Sequence, residues 1–232
     1  GSTLGTNVGV YVGVMSLDYP LFGAQEQLLG NSVVTTGSLS SIANRVSYIF
    51  DFRGPSMAVD TMCSSSLYAL HLACQSIQTG EIDAAVVGGI NLSLHPNKYL
   101  LLCEHKFASA RGKCESFGDK GEGYIPGEGV ASILLKPLSK ALKNNDHIYG
   151  VIKGTAINHG GTSHGGYLVP NPERQADVIE KSLKNAQINP RTISYVEAHG
   201  TGTSLGDPIE IAGLQKVYEK YTQENQFCKI GS

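Results

Sequence analysis

Cys63 and His199 are the residues of this chain whose types and surroundings could do covalent chemistry. Cys63 sits in the octapeptide DTMCSSSL, from Asp60 to Leu67, where a β-branched run meets a long apolar helix. A thiol at that junction feels the positive end of the helix dipole and the unpaired N–H groups of the first turn, which favour thiolate over thiol. An unperturbed cysteine titrates at about 8.5 and is mostly protonated at neutral pH, so this placement activates a nucleophile. The competing reading is a small buried cysteine in a core helix, the ordinary fate of the residue. His199 follows the run ISYVEA and opens the loop HGTGT, which ends at Thr203. Functional groups in open α/β sheets gather at the carboxyl ends of strands, and this histidine stands at such a place. Gly200 and Gly202 let the backbone approach a ligand closely, with the hydroxyls of Thr201 and Thr203 beside them.

The remaining polar residues have structural readings. Asp207 suits the N-cap of the next helix, Pro208 its first position and Glu210 the far side of a capping box. His159 and His164 share the glycine-rich segment INHGGTSHGG without a third ligand at metal spacing, so no metal site is expected. His71 reads as a core histidine of the Cys63 helix, and His95, His105 and His147 have no partner pattern. A cysteine and a histidine also suit a cysteine protease, but neither a secretory signal nor a CGSCW-type context accompanies them.

The elements that must position Cys63 and His199 alternate along the chain. Val8–Val14 is a period-two strand, followed by a mixed polar stretch over 28–46. Pro55–Thr61 leads into a helix from about Cys63 to Gln78, with Gly80 as its C′ residue. Leu67, Leu70, Cys74 and Ile77 recur at helical steps, which predicts a helix covered on nearly all sides. Ala84–Leu92 is a buried strand, and Phe117–Gly129 is a glycine-rich loop without a phosphate-binding pattern. Val130–Leu135 and Ile148–Ile157 are strands flanking a short helix at Leu138–Lys143. Pro172 to Ala186 is a helix and Ile193–Ala198 a strand. The alternation predicts an α/β fold with its sheet covered on both faces and no linker dividing it.

Composition excludes several classes. The 232 residues are 41% apolar and only 16% charged, with 28 glycines, a globular pattern rich in tight turns. A formal charge of −2 without a Lys/Arg cluster argues against nucleic acid or an anionic membrane as partner. Lys136, Lys140 and Lys143 recur as a solvated face. No apolar run reaches membrane-span length and no signal peptide opens the chain. Five scattered cysteines without a CxxC pair read as reduced thiols of a cytoplasmic protein. The chain opens on Gly1 and enters a strand almost at once, so it is expected to be cut from something longer.

DTMCSSSL, VVGGINL, FGDKGEGYIPGEG, VEAHGTGT and GDPIE resemble, in that order and spacing, the β-ketoacyl synthase (ketosynthase) domains of modular polyketide synthases. The likeness runs essentially from Gly1 to the end, and INHGGTSHGGYLVPNP is most similar to the branch that relies on separately encoded acyltransferases. The resemblance implies a thiolase-like fold, a layered αβαβα arrangement of two related halves. Residues 1–232 would then be a partial ketosynthase domain, its N-terminal part and C-terminal half lying outside. It further implies that Cys63 accepts an acyl chain from an acyl carrier protein, and that the thioester condenses with a decarboxylating malonyl-type extender. His199 would hydrogen-bond the extender's thioester carbonyl, the Cys63 N–H at the helix start would serve the oxyanion hole, and Thr201 and Thr203 would line the phosphopantetheine channel. The domain would bind no cofactor of its own, its substrates riding on carrier-protein phosphopantetheine. Acyl carrier protein and other synthase domains are the implied partners, with a homodimer formed around Pro55–Met62.

Two departures stand out. Met62 replaces the alanine that many relatives carry before the nucleophile, which should reshape the acyl pocket. The chain stops at Lys229–Ser232, where relatives continue into a KSNxGH segment with the catalytic lysine and second histidine, so the fragment alone should not complete condensation. The alternatives are a fatty-acid ketosynthase or thiolase relative, and a non-elongating ketosynthase that only transfers acyl chains. The intact His199 favours elongation.

Overall fold

The computed structural model describes residues 5–162 and 165–232. In chain order the elements are β1 (Val8–Gly13), α1 (Pro20–Leu28), α2 (Leu39–Phe50), β2 (Ser56–Val59), α3 (Ser65–Gln78), β3 (Ala84–Asn91) and α4 (Asn97–Glu104). There follow β4 (Gly129–Leu135), α5 (Leu138–Lys143), α6 (Pro172–Ala186), a 3₁₀ turn (Pro190–Thr192), β5 (Tyr195–Glu197), α7 (Gly206–Tyr218) and β6 (Lys229–Gly231). They cluster into two compact units, each discontinuous in sequence: Gly1–Lys98 with Gly127–Val151, and Tyr99–Pro126 with Ile152–Ser232.

The first unit is built on a four-stranded sheet of order β2-β1-β3-β4. β1 pairs in parallel with both β2 and β3, while β4 runs antiparallel along β3. β1 is central, and all six of its residues are buried. Its alternation sorts two cores. Tyr11 packs with Ala69, Ala73, Ile82, Ala85 and Val87 on the α3 face, where its hydroxyl donates to Ser76 Oγ at 2.9 Å. Val10 and Val12 pack with Ala43 on the α2 face. The chain leaves β1 through α2 to reach β2 on one side, then returns through α3 to β3 on the other. Two crossovers of one hand in opposite directions put their helices on opposite faces.

Glycine sets how closely α3 approaches the sheet. A Cβ on Gly13 would lie 2.6 Å from Ser66 Cα and 2.7 Å from the Ser65 carbonyl carbon, and one on Gly89 would lie 3.2 Å from Ser66 Cβ. The first turn of α3 therefore rests on the carboxyl end of β1. At its other end α3 closes in a Schellman motif: Glu81 N donates to Ser76 O at 3.0 Å and Gly80 N to Ile77 O at 3.2 Å, with Gly80 at φ +77°.

In the second unit β5 and β6 pair in parallel. α6 and α7 pack through Ala176, Leu183 and Val217, with Ile188 and Ile193 against them. Ion pairs reinforce that seam. Glu180 reaches Lys184 at 2.8 Å and Lys220 at 2.7 Å, and hydrogen bonds from these two ammonium groups hold its carboxyl down at about 2.

The α/β alternation and most element positions agree with expectation, α6 at both ends. Four differences have physical causes. The polar stretch over 28–46 holds the last residue of α1 and most of α2, whose apolar face of Ile42, Ala43 and Val46 packs on the β1 core. Residues 148–157 form no strand, because no described strand runs beside them to share a ladder and Tyr149 is 97% exposed. α3 is covered less completely than expected: Leu70, Leu72 and Ile77 pack inward and His71 is buried, whereas Leu67 is 65% exposed. The sheet is covered on both faces at β1 but not at the edge strand β4, which is exposed along nearly its whole length. No helix among the described residues is long and apolar enough to cross a membrane.

Gly13→Ala should lower stability by about 1–3 kcal/mol, since the added methyl meets backbone rather than a yielding side chain. Denaturant unfolding of this variant beside Gly80→Ala, where open space but a positive φ awaits the methyl, separates crowding from backbone strain.

Candidate active site

Cys63 lies on the turn that joins β2 to α3, two residues before the helix begins at Ser65. The sequence places it in the first helical turn; the structure sets it just outside, because Asp60–Ser64 forms a turn of its own. Met62 stands in the left-handed region at φ +58°, a conformation costly for a residue with a side chain. Side chains hold it there. Asp60 Oδ1 accepts from Met62 N at 3.0 Å, and Ser65 Oγ donates to Met62 O at 2.5 Å. Ser65 Oγ also accepts from Thr61 N at 2.9 Å, while Ser64 Oγ donates to Thr61 O at 2.9 Å. Cys63 and Met62 are both exposed at the tip of this turn, whereas Ser65 is only 5% exposed. Cys74, about three turns further along, is partly buried, and that burial pushes its thiol up from the ordinary cysteine range.

His199 belongs to the second unit and follows β5 by two residues. Its loop is tied by its own helix. One carboxylate, Glu210, accepts from His199 N at 2.8 Å and Gly200 N at 3.0 Å. A second, Asp207, accepts from Gly202 N at 3.1 Å and Phe117 N at 2.7 Å. Asp207 is 6% exposed, so its charge is stabilised chiefly by these amides and the adjacent helix start. Carbonyls are held as well: Ser116 Oγ donates to Gly200 O, Gly123 N to Gly202 O at 2.9 Å, and Ser232 Oγ to His199 O at 3.0 Å. Gly200 (φ +48°) and Gly202 (φ +66°) give the loop the left-handed bends that this wrapping requires.

The expected capping box at Asp207 and Glu210 is therefore corrected. α7 starts two residues earlier, with Leu205 at the N-cap making no side-chain cap bond, and Thr203 Oγ1 accepts from Gly206 N at 3.1 Å. Both carboxylates turn back to the loop, where paired amides would otherwise lack acceptors. Thr201 and Thr203 hydroxyls lie 3.2 Å apart, and Thr203 also lines a cavity of about 520 Å³ walled by Phe117, Asp119, Asp207, Ile211 and Gln215. Asp60, Ser64 and Ser65 carry no sequence signal as anchors beyond lying in DTMCSSSL, and Ser116, distant in sequence from both motifs, carries none.

The other histidines are dispersed. His71 is buried on α3. His95 accepts from Asn97 N at 3.1 Å and meets the Phe22 ring edge-on at 4.8 Å, contacts that spacing alone does not reveal. His105 and His147 lie beside Phe107 and Tyr149. His159 Nδ1 accepts from Gly161 N at 2.9 Å, and His164 lies outside the described residues. Among the described residues no three His, Cys, Asp or Glu side chains gather as a metal site, and none of the five cysteines forms a disulfide.

Comparison with known proteins identifies the family. The family model "Beta-ketoacyl synthase, N-terminal domain" matches residues 1–141, and "Beta-ketoacyl synthase, C-terminal domain" matches residues 149–232. Polyketide synthase PksL of Bacillus subtilis is 66% identical over 229 residues, covering 99% of this chain and 5% of its own length. Polyketide synthase ThaG of Burkholderia thailandensis is 57% identical, over 97% of this chain and 4% of its own. Among solved structures, the oxazolomycin ketosynthase domain OzmH KS7 of Streptomyces albus superposes with a TM-score of 0.94 at 49% identity, covering 98% of this chain and 39% of that one. The ketosynthase from module 6 of the Bacillus subtilis bacillaene synthase gives 0.90 at 40% identity, over 99% and 39%. This chain thus spans a small part of the synthases and well under half of the solved domains.

Glu210→Gln keeps one acceptor and loses the other, so one of the two amides at His199 and Gly200 is left without its partner. The variant should lose about 1–3 kcal/mol. Hydrogen exchange at residues 199–203 should accelerate while exchange in α3 stays at the parent rate.

Proposed function

The chain belongs to the β-ketoacyl synthase family, and on that premise we propose that it is part of a ketosynthase domain of a modular polyketide synthase served by separately encoded acyltransferases. The observation that carries the chemistry is Cys63 on an exposed, side-chain-held turn directly before the N-terminus of a long helix. Its thiolate attacks the thioester carbonyl of an acyl chain on an acyl carrier protein. A new carbon–sulfur bond forms at Cys63 and the phosphopantetheine thiol leaves. A malonyl-type extender on a carrier protein then loses carbon dioxide, and the resulting enolate attacks the Cys63 thioester. The new carbon–carbon bond releases Cys63 as thiolate.

His199 donates a hydrogen bond to the extender's thioester carbonyl, where negative charge develops as carbon dioxide departs. A fixed donor at a developing oxyanion is among the strongest catalytic contributions. Glu210 and Asp207 support that role by fixing the backbone that carries the imidazole. Thr201 and Thr203 line the path of the phosphopantetheine arm, a reading supported by the cavity beside Thr203. Met62 narrows the acyl pocket. The domain binds no cofactor of its own, acts in the cytoplasm with carrier protein and other synthase domains, and pairs as a homodimer along the edge strand β2.

Incubation of the intact ketosynthase domain with acyl thioesters should give a covalent adduct, seen by intact mass, that disappears in Cys63→Ala. An adduct surviving that change overturns the nucleophile assignment. Met62→Ala should widen the range of acyl chains loaded, shifting relative loading rates toward bulkier chains across a thioester panel. An unchanged preference removes Met62 from substrate choice.

A further inference from the structure

We infer that Ser65 and Asp60 are positioning residues for the nucleophile: they act through Met62, holding it left-handed so that Cys63 stands at the exposed tip of the turn. The inference rests on Cys63 being the acyl acceptor. Met62 is a side-chain-bearing residue at φ +58°, a region such residues avoid unless the surroundings impose it. The imposing contacts are on both of its peptide groups. Asp60 takes the Met62 N–H, and the Ser65 hydroxyl takes the Met62 carbonyl, which the Ser65 N–H also reaches at 3.1 Å. The same hydroxyl accepts from Thr61 N, so one oxygen bridges the Asp60–Thr61 and Met62–Cys63 peptides on either side of the turn.

Ser65 can do this because it is itself immobile. It is 5% exposed, and the backbone of Ser65 and Ser66 lies against Gly13 with no space for an added carbon. The sheet fixes the helix start, the helix start fixes one hydroxyl, and that hydroxyl fixes the turn that aims the thiol. Without the hydroxyl, Met62 relaxes toward negative φ and the thiol leaves its place at the helix N-terminus.

The test follows acylation of Cys63 in the intact ketosynthase domain with an acyl N-acetylcysteamine thioester, by intact mass over time. Ser65→Ala should slow acylation by about 10²-fold, the scale of a small misplacement of a reacting group. Ser65→Thr, which retains the hydroxyl, should recover most of the rate. In a Met62→Asn background Ser65→Ala should cost far less, because asparagine tolerates the left-handed region. Equal rates for parent and Ser65→Ala, or an undiminished loss in the Met62→Asn background, overturn the inference. So does a fall in unfolding midpoint with no change of rate. Should Ser65→Ala fail to fold, Asp60→Ala removes the other anchor from an exposed position and carries the same expectation. A parent domain that forms no adduct at Cys63 defeats the nucleophile reading instead, which separates the two failures.

Discussion

The contact between Gly13 and the first turn of α3 is the constraint on which the surroundings of Cys63 depend. A helix normally packs on a sheet through side chains, which keep backbones well apart. Here the end of β1 and the start of α3 approach until no carbon fits between them. That closeness fixes the height and rotation of the helix start relative to the strands. Everything hydrogen-bonded to the helix start inherits the same precision: the Ser65 hydroxyl, the Met62 peptide and the thiol that follows it.

Backbone satisfaction organises the surroundings of Cys63 and, separately, those of His199. Around Cys63, hydroxyls and a carboxylate replace the ladder and helix bonds that an abrupt strand-to-helix turn cannot make. Around His199, two carboxylates gather four amides from a loop and a neighbouring segment. Charged acceptors are suited to this task, since each oxygen takes a strong hydrogen bond and the start of α7 stabilises the negative charge. The Cys63 and His199 side chains stay exposed while the chain beneath them is held. This division lets a loop residue be accurate without being buried.

Much of this could be read from residue order. The period-two run of β1, the apolar repeat of α3 ending at Gly80, and the Pro172 start of α6 are local patterns with local causes, and the structure keeps them. The misreadings share one feature. A β-branched run over 148–157 has strand propensity, but a strand exists only beside another, and no described strand supplies that neighbour. Leu67 fits the helical repeat yet faces outward, because periodicity states which residues share a face and not what covers it.

The sequence by itself singled out Cys63 and His199 as the candidate reacting residues. Cys63 before a helix and His199 after a strand are visible from neighbouring residues alone, and the five motifs together name the family. The roles of the residues around them were decided in three dimensions. Asp207, Pro208 and Glu210 have the spacing of a capping box, and local reasoning assigns them to their own helix. The tertiary structure instead points the carboxylates at the amides of Gly202, Phe117, His199 and Gly200, and Phe117 is brought near only by folding. The left-handed Met62 is similar: the turn that demands it exists because Gly13, fifty residues earlier, lets α3 settle onto β1. Which residue can react is a matter of local chemistry. Where it points is set by contacts between residues far apart in the chain, whose partners become definite only once the backbone has closed around them.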